Sequence, residues 1–294
     1  MSAIALPDVP APFAPPQPRL VACADLIDDA VREATEAWEA RRSGQPPGPV
    51  TGFRGLDQEL GGCLAPGIHV LHGAPGTGKS ALGLQIAATC GAPALFLSTE
   101  MGSTELLRRL AARVTEVYLG RFKSGELAPE RVRELLTAAA ATAPRLTIAD
   151  ATREAAAPSW VSEALMVVRG LHPQCLLVVD SLHSWAEGWA PAVSSEYESI
   201  NVALAELQRI AQTHSASVVA IAERNRATMS GGMHASAGSR KFEYKSDSVL
   251  DLSREGVGEV VSVTVRIDKN RNGAAGRTYG LTFEGALQRF TPAP

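Results

Sequence analysis

The string GAPGTGKS at residues 73–80 constrains this chain more than any other feature. It follows the apolar run IHVLH and precedes SALGLQIAATC, which has helical composition. A glycine-rich turn between a strand and a helix is an anion cradle. The glycines let the backbone curl until successive N–H groups converge on one point. The helix behind the turn adds its positive amino-terminal end. The arrangement predicts a nucleoside triphosphate site. Gly73, Ala74, Pro75, Gly76, Thr77, Gly78 and Ala81 form the cradle, Lys79 reaches the β- and γ-phosphates, and Ser80 ligates Mg²⁺.

From about residue 50 onward, short apolar runs alternate with amphipathic stretches. IHVLHG, ALFLS, LTIAD, LLVVD, SVVAIA, SVLDLS and VVSVTVRID read as strands. Helical patterns lie near 79–90, 103–118, 129–143, 158–170 and 197–213. In the last, Ile200, Leu204, Leu207 and Ala211 form one apolar face. Strands alternating with helices predict an α/β fold with a mainly parallel, twisted sheet and helices on both faces. Continuously apolar strands suit a sheet buried on both sides.

Ahead of this core, residues 1–22 read as a disordered, proline-rich tail, with six prolines in the first 19 residues. Residues 23–49 read as a linker helix followed by the breaker-rich SGQPPGPVTG. Ile27, Val31, Ala34 and Trp38 make an apolar stripe on that helix, and Arg41 and Arg42 close it. The ATPase-type core is expected over 50–294.

Net charge is −3, so no overall basic field points to nucleic acid, and any such contact must be local. The cysteines Cys23, Cys63, Cys90 and Cys175 have no metal spacing, and a disulfide framework is not expected. The N-terminal residues show no secretory signal, and no apolar run approaches membrane-helix length. A cytoplasmic protein is expected.

A phosphate cradle of this type needs a second carboxylate for the magnesium shell. LLVVD ends in Asp180 at the carboxyl edge of a strand, where open parallel sheets bind ligands. ALFLSTEM carries Glu100 just past another strand. That carboxylate suits a general base that polarises the attacking water, and it suits equally well an acid stabilised at a helix amino terminus.

The ordered set TGFRGLDQELGG, the glycine-rich loop, FLSTEM, LLVVDSL, VVAIAERNRA, GSRKFEYKSDSVLDLSRE and DKNRNGAAG resembles the C-terminal ATPase domain of DnaB-type hexameric replicative helicases. That is a RecA-like P-loop NTPase fold, and the resemblance covers about residues 23–290. It implies ATP and Mg²⁺ as cofactors, with Lys79, Ser80, Asp180 and Glu100 in the phosphate, metal and catalytic roles. It implies that Arg109 lies near the nucleotide. It implies that Lys269 and Arg271 form a basic pair acting on the neighbouring subunit's nucleotide, in a homo-oligomer that is a hexameric ring. The helix at 24–42 would dock on the adjacent subunit.

The resemblance also implies single-stranded DNA as a partner. Two loops are candidates, about 183–196 and 224–241, the second with Arg224, Arg226, Arg240 and Lys241. Glu223 stands where the family has a polar sensor, usually glutamine. The loop GAPGTGKS is closer to the general RecA type than to the usual replicative version. The family's helical amino-terminal domain is not seen, so a primase-recruiting collar is not expected. Three readings follow: a ring-forming DNA translocase or helicase, a regulatory or assembly ATPase resembling RadA or KaiC without unwinding, and a nucleotide-binding scaffold.

Overall fold

The computed structural model describes residues 20–190, 195–223 and 245–294. The chain divides at Pro47/Gly48 into two units. In the described part of the first, a short 3-10 turn, Cys23–Leu26, leads into α1 (Ile27–Ser43). Asp28 and Asp29 occupy its first turn, where the helix dipole favours negative charge. Ile27, Val31 and Trp38 are exposed.

The second unit is built on a nine-stranded sheet of order β3-β2-β4-β5-β1-β6-β7-β8-β9. In chain order its elements are α2 (Arg54–Glu59), β1 (Gly67–Gly73), α3 (Lys79–Thr89), β2 (Ala94–Ser98), α4 (Ser103–Thr115), α5 (Arg121–Ser124) and α6 (Pro129–Thr142). There follow β3 (Leu146–Asp150), α7 (Pro158–Arg169), β4 (Leu176–Asp180), α8 (Leu182–Trp189), α9 (Glu196–His214) and β5 (Ser217–Glu223). The chain closes with β6 (Ser248–Glu255), β7 (Val260–Asn270), β8 (Thr278–Glu284) and β9 (Arg289–Pro292).

Strands β3, β2, β4, β5, β1 and β6 are parallel neighbours. The last three add on antiparallel. The expected α/β architecture is present, with β8 and β9 as additions that the sequence reading did not include.

Alternation along the central strands divides the core in two. Phe96, Val178 and Ile221 face one side, with Leu82, Leu106 and Leu135 of α3, α4 and α6. Leu97, Val179 and Ala220 face the other, with Val161, Trp185 and Leu207 of α7, α8 and α9. These strands lack a polar face because helices cover both. Phe96 is fully buried, and truncating such a side chain to alanine costs about 3–5 kcal/mol.

The expected loop at about 183–196 is corrected in part. Residues 182–189 are helical, because Ser181 caps α8 by accepting the Ser184 N–H, and Leu182, Trp185 and Ala186 bury one face of it. Arg224, Arg226, Arg240 and Lys241 lie outside the described residues.

Candidate nucleotide site

The carboxyl edges of β1, β4 and β5 open on a cavity of about 280 Å³. β1 runs straight into the glycine-rich loop, and α3 begins at Lys79. Gly78 has φ of +92°, and a Cβ there would come within 2.8 Å of Phe290. Only glycine satisfies both demands. A Cβ on Gly73 would meet the Leu252 carbonyl at 2.5 Å, so this residue lets β1 and β6 stay paired at the loop's base.

Lys79 is buried, and its ammonium donates to the Gly73 and Ala74 carbonyls, 3.0 Å each. Thr77 Oγ1 also donates to the Ala74 carbonyl. Burial lowers the Lys79 pKa, while Glu223, Asp180 and Glu100 oppose that shift. Pro75, Gly76, Gly78, Ser80 and Ala81 line the cavity with Lys79.

Asp180 ends β4 and is buried. Desolvation pushes its pKa up to about 6; the Ser80 hydroxyl, by hydrogen bonding to it, and the Lys79 charge pull the other way, and Glu100 raises it further. Its Oδ2 is buried without a hydrogen-bond partner among the described residues. That orphaned oxygen, beside Ser80, is a donor set suited to a hard divalent cation.

Glu100 lies in the turn after β2, and Glu223 ends β5; both line the cavity. Arg109, on α4, donates to Gln288 Oε1 at 2.5 Å and lies 3.4 Å from Glu105. Three carboxylates, Glu100, Asp180 and Glu223, thus face two cations, Lys79 and Arg109. Such a site suits an anion that arrives with a metal ion and disfavours a bare anion.

The sequence reading missed Gln288, Phe283 and Ser181. Phe283 and Phe290 stack with centroids 4.4 Å apart, forming a wall next to Gly78. Gln288 sits in a left-handed conformation, φ 54°, after a 3-10 turn. Composition offered no cue to it.

Lys269 and Arg271 do not line this cavity. β7 runs antiparallel to β6, so its end lies at the amino-terminal edge of the parallel strands. Lys269 Nζ donates to the Ser246 carbonyl at 2.5 Å, and Arg271 pairs with Asp247 at 3.0 Å. The two cations are held by consecutive residues ahead of β6, which offsets their mutual repulsion.

The model of the DnaB-like helicase C-terminal domain matches residues 48–292. The replicative DNA helicase DnaB of Leifsonia xyli subsp. xyli is 26% identical over 284 residues, covering 90% of this chain and 60% of that protein. The chain therefore spans only part of the length of such relatives. Two solved structures share the fold. A DnaB-like replicative helicase, solved in a study of its interactions with primase, has a TM-score of 0.72 at 20% identity, covering 91% of this chain and 67% of that one. A KaiC-like protein from Pyrococcus horikoshii OT3 has a TM-score of 0.56 at 18% identity, covering 83% and 98%. The ordered motifs, the RecA-like sheet and a family match over nearly the whole second unit agree, and the chain belongs to the DnaB-like helicase C-terminal domain family.

Proposed function

We propose that this chain is the ATP-hydrolysing subunit of a ring-forming translocase or helicase that acts on single-stranded DNA in the cytoplasm. One observation carries the reading. The cavity holds its phosphate-binding lysine and carboxylates at one edge of the sheet, while Lys269 and Arg271 stand at the other. A second subunit could supply such cations to a neighbour's nucleotide, which makes a homo-oligomer, and in this family a hexamer, the natural assembly. The exposed stripe of α1 would dock on the adjacent subunit. Among the described residues no helix is long and apolar enough to cross a membrane.

The chemistry follows from the residues. Lys79 would leave its carbonyl partners for the β- and γ-phosphate oxygens. Ser80 and Asp180 would hold Mg²⁺, which supplies charge neutralisation on those oxygens. Glu100 would take the proton of a water whose oxygen forms the bond to the γ-phosphorus, as the bond to the β-phosphate oxygen breaks. Arg271 and Lys269 of the adjacent copy would stabilise the charge on the transferring group. Arg224, Arg226, Arg240 and Lys241 are our candidates for the DNA backbone contact.

A regulatory or assembly ATPase resembling RadA or KaiC is the second reading. It is favoured by Glu223, an acid lining the cavity at the sensor position. The rate of ATP hydrolysis with and without single-stranded DNA decides between them. Stimulation of several-fold or more supports the translocase. An unchanged rate, with no DNA binding, supports the regulator.

A further inference from the structure

Glu100 is exposed, and an exposed glutamate normally samples several rotamers. Here it does not stand free. Ser181 Oγ donates to Glu100 Oε1 at 2.5 Å, and Ser184 Oγ donates to the same oxygen at 2.9 Å. Among the described residues Oε2 has no protein donor. Hydrogen bonds to a carboxylate are roughly twice as strong as neutral ones, so two on one oxygen fix the head group.

The donors rest on a rigid base. Ser181 is the amino-terminal cap of α8 and receives the Ser184 N–H. Trp185 and Leu182 anchor α8 in the core, and Trp185 Nε1 donates to the Ala156 carbonyl at 2.7 Å. The backbone between Glu100 and the strands is tied to the same place. The Thr99 N–H donates to the Asp180 carbonyl at 2.8 Å, and the Ser181 N–H donates to Thr99 Oγ1 at 3.0 Å. The cap needs only the Ser181 oxygen. The Ser184 hydroxyl lies 3.2 Å from the capping Ser181 hydroxyl and makes its shorter contact, 2.9 Å, to the carboxylate.

We propose that Ser184, with Ser181, is a positioning residue that orients the Glu100 carboxylate toward the water it deprotonates, through two hydroxyl donors on Oε1. The proposal rests on the reading of Glu100 as the base. A misplacement near 1 Å costs about 10²-fold in rate, so loss of one of two donors has a large effect on turnover and little on nucleotide binding.

The test uses the full chain, with Mg²⁺-ATP turnover and the Kd of a fluorescent ATP analogue measured together. Ser184→Ala is expected to lower kcat by about 10- to 100-fold with Kd within about 3-fold. Ser184→Thr keeps a hydroxyl and is expected to retain most of the rate. In a Glu100→Gln background, Ser184→Ala is expected to have no further effect, because both changes act through one group. Wild-type kcat in a folded Ser184→Ala protein, beside an inactive Glu100→Gln, overturns the serine proposal alone. So does an equal additional loss in the Glu100→Gln background. Full turnover by Glu100→Gln overturns the base assignment and the positioning role with it.

Discussion

Arg271 and Asp247 form an ion pair of 3.0 Å at the amino-terminal edge of the sheet. The other Asp247 oxygen accepts the Ile68 N–H at 2.9 Å, which pins the pair beside the first residues of β1. Gly73 lies five residues further along that strand, about 17 Å away at the usual rise. An arginine side chain cannot span that distance around the strand edge. Arg271 is therefore remote from its own chain's cavity, and any action on a nucleotide must be on another chain's.

Lys79→Ala is expected to abolish ATP hydrolysis while leaving the fold intact. Among the described residues the ammonium donates to the Gly73 and Ala74 carbonyls, and Lys79 belongs to neither apolar core cluster. Turnover and thermal melting check this together. A folded variant hydrolysing at the wild-type rate would refute the cradle assignment.

Gln288→Ala is expected to weaken nucleotide affinity by about 3- to 10-fold and to affect kcat less. Gln288 holds Arg109 at 2.5 Å and lines the cavity, so its loss removes about one hydrogen bond's worth of ordering, about 1 kcal/mol. Comparison of Kd and kcat gives the split.

Asp150→Ala is expected to lower the melting temperature by about 2–4 °C near neutral pH, the effect of losing a cap worth about 1 kcal/mol. Asp150 accepts the Ser103 N–H at 2.7 Å at the start of α4, and the Thr152 hydroxyl at 2.6 Å. These bonds hold its pKa down to about 2, below the ordinary 3.8. A folded pKa below the unfolded one means stability that is present above about pH 4 and is lost as pH falls toward 2. The gap between wild type and Asp150→Ala should close over that window. A gap constant down to pH 2 would contradict the assignment.

Removal of residues 1–42 is expected to weaken self-association while leaving the second unit folded. The apolar stripe of Ile27, Val31 and Trp38 is exposed in the chain, which makes an external groove its natural partner. Sedimentation gives the result, and an unchanged oligomer would contradict it.

The central strands and the helices between them were legible because burial on both faces demands uninterrupted apolar runs, as in LLVVD and ALFLS. The cradle and Asp180 were legible because they stand at strand ends; Glu100, just past β2, was open to two readings until the family resemblance, and Arg109, in the second turn of α4, came from the resemblance alone. Gln288 and Phe283 were not, since β8 and β9 approach the cavity by tertiary packing alone. α8 was read as loop because it is short and contains Gly188, although Ser181 with Leu182, Trp185 and Ala186 carries a cap and an apolar face. A strand's period of two would send Lys269 and Arg271 to the same face, but the end of β7 departs from it. A bulge on β7 leaves Asp268 unpaired between Ile267 and Lys269, and the strand ends at Asn270, so Arg271 is placed by Asp247 and not by the pleat.

Mixing two inactive variants tests the account most directly. Arg271→Ala alone should bind ATP within a few-fold of wild type but turn over about 10³-fold more slowly, the scale of arginine fingers. Lys79→Ala subunits keep Arg271, and Arg271→Ala subunits keep Lys79. Co-assembled, they should form some complete sites between unlike neighbours and recover part of the ATPase activity. Zero recovery in oligomers shown to be mixed, or full activity of Arg271→Ala by itself, would contradict a nucleotide site completed by the adjacent copy.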